Sequence, residues 1–300
     1  MLTKTFLAER IKSDEQPSHF NPAKGSYGAG FSLLELLVLV AMLAILAFTI
    51  VPAVTRIRPT GDAIQCMTNA KRIVTAWQMY AQDNADQMVV SVHGGSAMGG
   101  IGDAVYGVGW AEGWIDWTTS TDNTNLAFVL SPKYSKLAKY LSETSNAFKC
   151  PADEFLSPAQ RARGWTGRAR SYSSNIGLGA GNAEVGPWDV LYRHIKKTTE
   201  FQYPGPSETW VYVDEHPDSI NDPAFFSPPR QSWLDLPATY HNGGAGFAFA
   251  DGHAEIHKWT GSLLKLKTVN FTWNPPFPKA GDPDIHWMSY HAQRRSTNSY

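Results

Sequence analysis

Cysteine is scarce in this chain of 300 residues: Cys66 and Cys150 are the two that occur, and neither stands in a Cys-x-x-Cys pair. Local redox and zinc motifs depend on that spacing, so the sequence argues against either role for them. Net charge is nearly absent as well. The formal charge is −1 and the isoelectric point about 6.8, with no basic stripe or stacking motif, so no nucleic-acid partner is expected. Catalytic signatures are missing too. There is no Gly-x-Ser-x-Gly elbow and no His-Glu-x-x-His. The glycines between His93 and Trp117 lack P-loop spacing and a following lysine. No enzymatic activity is expected; a tethered hydrolase would need a preorganised cleft that no motif announces.

What is present is one long apolar run. From Phe31 to Val51 the only ionisable side chain is Glu35. At the helical rise this stretch reaches roughly 30 Å, the thickness of bilayer hydrocarbon. A soluble helix of that length would carry a polar face, and this one has none. A cleaved secretory signal has a shorter apolar region, about 7–15 residues, followed by small residues. Glu35 is the anomaly, because an ionised carboxylate in a membrane helix costs about 2–3 kcal/mol unless a cation meets it.

Gly30-Phe31-Ser-Leu-Leu-Glu35 followed by an uncharged run resembles the processing signature of type IV pilins and type II secretion pseudopilins. The resemblance implies cleavage by a prepilin peptidase between Gly30 and Phe31 and N-methylation of Phe31. It further implies that Glu35 pairs with the terminal ammonium of a neighbouring subunit, and that Pro52 is the helix-kinking proline of the family. Residues 1–30 would be a leader, 31–55 the transmembrane and assembly half of the helix, and 56–300 an extracytoplasmic globular domain. The expected partners are other copies or pilin-like subunits, the peptidase and an inner-membrane assembly platform. The protein would be single-pass in the inner membrane, then part of a periplasmic or cell-surface filament.

The leader carries one net positive charge, from Lys4, Arg10, Lys12 and Lys24 against Glu9, Asp14 and Glu15. Arg56 and Arg58 beyond the run blunt the asymmetry that orients membrane helices, so orientation rests on the resemblance. In that orientation Cys66 and Cys150 lie where disulfides persist. A bridge between them would close a loop of about 85 residues and stabilise the fold by about 4–5 kcal/mol; two unrelated buried thiols are the alternative.

Beyond Pro52 the spacing of Cys66, Ala70, Ile73, Trp77 and Tyr80 predicts an amphipathic helix with Thr68, Asn69, Lys71, Arg72 and Gln78 on its outer face, ending at Gln82–Asp86. A glycine-rich loop pinned by tryptophans follows, then a helix from Leu126 to Leu141, a turn at Cys150-Pro-Ala-Asp153, and an irregular stretch at 157–187. In that stretch Arg161, Arg163, Arg168 and Arg170 are expected to face solvent. Glu208–Asp214 reads as a strand. Ala245–Trp259 reads as a hairpin turning on Asp251-Gly252, with Phe249 opposite Ala254 and Phe247 opposite Ile256. That register puts Phe247, Phe249, Ala254 and Ile256 on the core face and His253, Glu255 and His257 on the other. No element is assigned to the proline- and tryptophan-rich tail from Asn274. The expected fold is α+β and pilin-like, a long N-terminal hydrophobic and amphipathic helix packed on an antiparallel sheet with large loop insertions.

His241, nine residues and Asp251-Gly252, together with Cys66-x-x-Asn69-x-Lys71 and Cys150-Pro-Ala-Asp153, resemble a pseudopilin-like family of planctomycetes and verrucomicrobia named for that histidine signature. The implication is architectural, and His241, Asp251 and Gly252 are expected to be structural. Asp214, Glu215, Asp218, Asn221 and Asp222 concentrate oxygen ligands after a strand and are the candidates for calcium, although they do not follow an EF-hand. Zinc shared by His253 and His257 is excluded, since residues four apart on a strand are roughly 13 Å apart. Trp110, Trp114, Trp117, Trp165 and Trp188 are the candidates for a glycan- or peptide-binding face, the alternative function.

Overall fold

The computed structural model describes residues 32–57, 61–141, 145–180, 192–229, 232–266 and 269–293, with side chains of the first helix described as far as Leu46. The cleavage positions Gly30 and Phe31, the side chain of Pro52, and Trp188 lie outside the described residues. The chain divides into two units, Met1–Arg58 and Pro59–Tyr300.

In the first unit α1 spans Leu33–Ile57 and runs through Pro52. Ser32 Oγ accepts from Glu35 N at 3.2 Å, while Glu35 Oε2 accepts from Ser32 N at 2.9 Å. This reciprocal pair is a capping box, which satisfies amides left open at a helix start. From Leu33 to Leu46 the large apolar side chains are exposed, Leu33 at 79% and Ile45 at 66%. Among the described residues no helix is long and apolar enough to cross a membrane.

The second unit is built on α2, Gly61–Asp83. Cys66, Ala70, Ile73 and Trp77 are buried at the expected spacing and Tyr80 half so. Asn69 departs from expectation. It is buried because its amide donates to the carbonyls of Asn146 and Lys149 at 2.9 Å each, the pairing that makes burial of a polar group tolerable. The helix ends where Ala85 and Asp86 take φ of 52° and 63°.

A five-stranded sheet receives this helix, making the unit mixed α/β. Its strands are β1 (Tyr172–Asn175), β2 (Trp210–Asp214), β3 (Ala224–Phe225), β4 (Gly244–Phe249) and β5 (Ala254–Lys258), in the order β3-β1-β2-β4-β5. All neighbours are antiparallel except β1 and β3, which are parallel. β2 and β4 are buried along their whole length, so the sheet is the middle of three layers. One face meets α2 through Tyr172, Val211, Tyr212 and Ala248. The other meets α5 (Pro283–Tyr290) through Trp210, Val213, Phe247 and Phe249. Each large apolar side chain sealed in this way contributes about 1.5–3 kcal/mol.

Four expectations are corrected. The hairpin pairs Phe247 with Glu255 and Ala248 with Ala254, one residue off the expected register. Phe249 N donates to His253 O and Gly252 N to Phe249 O, both at 2.9 Å. The loop therefore holds three residues, closed by Gly252 at φ 94°, the left-handed conformation that follows a type I turn in such hairpins. A one-residue shift reverses the faces: Phe247 and Phe249 share theirs with His253 and His257, and Ala254 joins the α2 side. The helix expected over Leu126–Leu141 is broken into α3 (Ala127–Leu130) and a short turn at Ala138–Tyr140. Pro132 forces Ser131 out of helical geometry, to φ −98° and ψ 130°. The irregular stretch contains α4 (Pro158–Ala162), capped by Ser157, and the sheet strand β1. Arg168 and Arg170, expected in solvent, are buried. Lastly, the tail forms α5, whose first turn is capped by Asp282 with Pro283 in the first helical position, the ordinary start signal for a helix.

Candidate functional site

Where α2 crosses the sheet, four polar side chains from distant points in the chain meet. Cys66 belongs to the buried stripe of α2. Cys150 follows the turn Ser145–Phe148, and its amide donates to Ser171 Oγ at 2.7 Å beside β1. Asp214 is the last residue of β2, and Gly246 N of the adjacent β4 donates to its Oδ1 at 2.6 Å, which aims Oδ2 toward α2. His241 lies just ahead of β4, its amide donating to Gly244 O at 3.2 Å.

The donor atoms converge. Cys66 Sγ donates to Asp214 Oδ2 at 3.4 Å, Cys150 Sγ is 3.3 Å from His241 Nε2, and that nitrogen is 3.3 Å from Asp214 Oδ2. One ligand atom from each of the four residues lies within 4.8 Å of the other three. Exposure is 0% for both cysteines and Asp214 and 4% for His241. The Tyr172 hydroxyl caps the cluster, 3.1 Å from Cys66 Sγ and 2.9 Å from Cys66 O.

Mutual hydrogen bonding dominates the electrostatics. The Cys66 thiol is held well above its ordinary range by its hydrogen bond to Cys150, by burial and by the Asp214 charge. Cys150 is lowered, first by the hydrogen bond from Cys66, with burial opposing and His241 assisting. Burial alone would depress His241, yet the hydrogen bonds and charges of Asp214 and Cys150 outweigh it and raise it to about 10. A cysteine, histidine and carboxylate in contact suggest a nucleophilic triad, but the geometry is wrong for one. A relay uses one ring nitrogen for the nucleophile and the other for the carboxylate, whereas here Nε2 faces both. The cluster is also sealed beneath α2. The expected bridge is not formed: both cysteines are free and buried, side by side.

The acidic run expected to hold calcium is dispersed. Asp214 turns to the cysteine cluster. Glu215 Oε1 accepts from Ser219 Oγ at 2.7 Å, and burial pushes this carboxyl up to about 8. Asp218 Oδ2 accepts from Asn270 N at 2.7 Å, and Asn221 Oδ1 from Asp222 N at 2.5 Å. Asp222 accepts from Gly94 N and Ala224 N at 2.9 and 3.0 Å. Loop amides and the Ser219 hydroxyl thus occupy part of these oxygens, Glu215 Oε2 and Asp218 Oδ1 being buried without a hydrogen-bond partner, and the run does not gather into one set of cation ligands. Among the described residues, the grouping of three or more His, Cys, Asp or Glu ligands is the cluster at Cys66.

Asp251 is exposed and accepts from His253 N at 3.0 Å and from His253 Nδ1 at 2.6 Å, a role in shaping the turn. His257 stacks on Trp287 with centroids 3.6 Å apart. Of the tryptophans proposed for ligand stacking, Trp110 is fully buried, its indole donating to Pro223 O at 3.1 Å. Trp114 and Trp117 are half-buried, and Trp165 borders an open cleft of about 460 Å³ with Lys149 and Arg168.

The sequence reading missed Asp214 as a partner for the cysteines, because its ligand search was local. It also missed the pair formed by Arg168 and Asp153, 3.7 Å apart with both side chains 1% exposed. Compared with family models, curated proteins and solved structures, the chain matches none.

Proposed function

We propose that the protein is a prepilin-like subunit of a pilus or type II secretion-like pseudopilus, held in the inner membrane by the apolar run Phe31–Val51 until assembly, with the second unit outside the cytoplasm. The observation that carries this reading is the surface of α1. From Leu33 to Leu46 its large apolar side chains stand exposed, and Glu35, in the first turn, is the one carboxylate among them. Exposed apolar area of this extent requires a covering phase, lipid first and neighbouring helices afterwards. Cleavage after Gly30 would place the new amine of Phe31 four residues from Glu35, where a neighbour's ammonium supplies the cation that a carboxylate needs in an apolar bundle. The absence of catalytic motifs and the sealed cysteine cluster support a structural role over a hydrolytic one. A tethered glycan- or peptide-binding protein is the second reading, and the cleft beside Trp165 favours it.

The capping box supplies a clean test. Glu35→Gln retains a side chain able to close the box with Ser32 but removes the charge, whereas Glu35→Val removes both. Both variants should insert in the membrane as wild type does. Both should be depleted from filaments in an assembly assay, the valine variant no less than the glutamine. Wild-type assembly by Glu35→Gln would refute the ion-pair role.

A further inference from the structure

We propose that Cys66, Cys150, Asp214 and His241 bind a single zinc ion that fixes α2 to the sheet. The inference is independent of filament assembly and concerns the second unit alone. A tetrahedral zinc with bonds of about 2.3 Å to sulfur and about 2.0 Å to nitrogen or oxygen separates neighbouring ligand atoms by roughly 3.3–3.8 Å. The separations found are 3.4 Å for Cys66 Sγ to Asp214 Oδ2, 3.3 Å for Cys150 Sγ to His241 Nε2 and 3.3 Å for His241 Nε2 to Asp214 Oδ2. All four ligand atoms lie within 4.8 Å of one another, so three of the six edges match the tetrahedron and the remaining three are close enough for the ion to set.

The donor chemistry selects the metal. Two sulfurs and an imidazole favour zinc over calcium or magnesium, which take oxygen ligands. Four protein ligands leave no open position, the mark of a structural rather than a hydrolytic ion. Binding sends the thiol protons and any proton on His241 to solvent, leaving two thiolates, a carboxylate and a neutral imidazole around the dication. The one negative charge left over is met by outer contacts already in place, Tyr172 OH toward Cys66 and Gly246 N toward Asp214 Oδ1.

The backbone is cleared for the cluster as well. A Cβ at Gly246 would stand 2.7 Å from Cys66 Sγ and 3.6 Å from Asp214 Oδ2, so glycine is the residue that lets β4 approach. A disulfide would engage two of the four side chains, whereas the ion engages all four. The ligands come from α2, the turn before β1, the end of β2 and the entry to β4, so one ion would join elements distant in sequence. Closing such long loops is where a cross-link constrains the unfolded chain most.

The test uses the full chain, solubilised in detergent after expression with zinc in the medium. Elemental analysis should give about one zinc per chain, and thiol alkylation should be slowed roughly tenfold or more until a strong chelator is added. Cobalt replacing zinc should produce thiolate-to-cobalt charge-transfer absorption and tetrahedral ligand-field bands, a readout that needs no variant. Tyr172→Phe should keep the ion but weaken affinity by about 10-fold or more. Asp214→Asn and His241→Ala should lose the ion, whereas His241→Cys should retain it. An intact mass showing a Cys66–Cys150 disulfide with no bound zinc would overturn the proposal. So would a cobalt spectrum without thiolate bands, or full zinc content in the chain lacking both cysteines.

Discussion

Phe249 stacks face to face on His253, with ring centroids 4.3 Å apart and planes within 6°. Two residues on opposite strands lie this way only if they oppose one another, so the contact fixes the hairpin in its three-residue register. Gly252 holds that register through its positive φ. A side chain there adopts a left-handed conformation costing about 1–2 kcal/mol, and its Cβ would meet the Gln78 amide at 3.1 Å. Gly252→Ala should therefore destabilise the second unit by about 1–2 kcal/mol in urea unfolding, and Gly252→Asn by less. A neutral alanine variant would contradict the assigned turn.

The pair between Arg168 and Asp153 is sealed from water, and Arg168 also lies 4.4 Å above the Trp117 ring. Removing one partner strands a buried charge, at a cost of about 3–5 kcal/mol. Asp153→Ala should show that loss in denaturant unfolding. Adding Arg168→Met should recover part of it, because the stranded cation is then gone. Additive losses in the double-mutant cycle would show that the two charges do not interact.

Glu112 gives the fold a pH dependence. Burial raises its carboxyl to about 7, against which the amide of Gly109, donating to Oε1 at 2.9 Å, is insufficient. The folded state then holds a proton that the unfolded chain releases near 4.5. Stability from this group is complete below that value and declines as pH rises toward 7, by roughly 3 kcal/mol in all. Glu112→Gln should match wild type at pH 4, exceed it at pH 8, and flatten the curve between. A variant no more stable than wild type at pH 8 would contradict the assignment.

Local patterns carried much of this architecture into the sequence. The stripe from Cys66 to Trp77 identified α2 because burial repeats with the helical period. β2 was legible from its β-branched and aromatic residues, and the hairpin from Asp251-Gly252. What local pattern lacks is the long-range term. The Asp-Gly pair does not distinguish a two-residue turn from a three-residue one, and that single residue decides which face Ala254 occupies. Arg168 and Arg170 resembled a solvated cluster because their partners, Asp153, Pro217 and Asn221, lie elsewhere in the chain. The cysteine cluster escaped for the same reason: its four members span residues 66 to 241. The motif fragments that carried the family resemblance contribute three of those members, so the signal was present but pointed to no geometry.

The central claim, that the chain is processed and assembled as a filament subunit, is tested most directly by mass spectrometry of the mature N-terminus. The protein would be recovered from membranes of cells that carry a matching prepilin peptidase. The account predicts a chain beginning at N-methylated Phe31, with residues 1–30 removed. Recovery of the chain with those residues intact would contradict it.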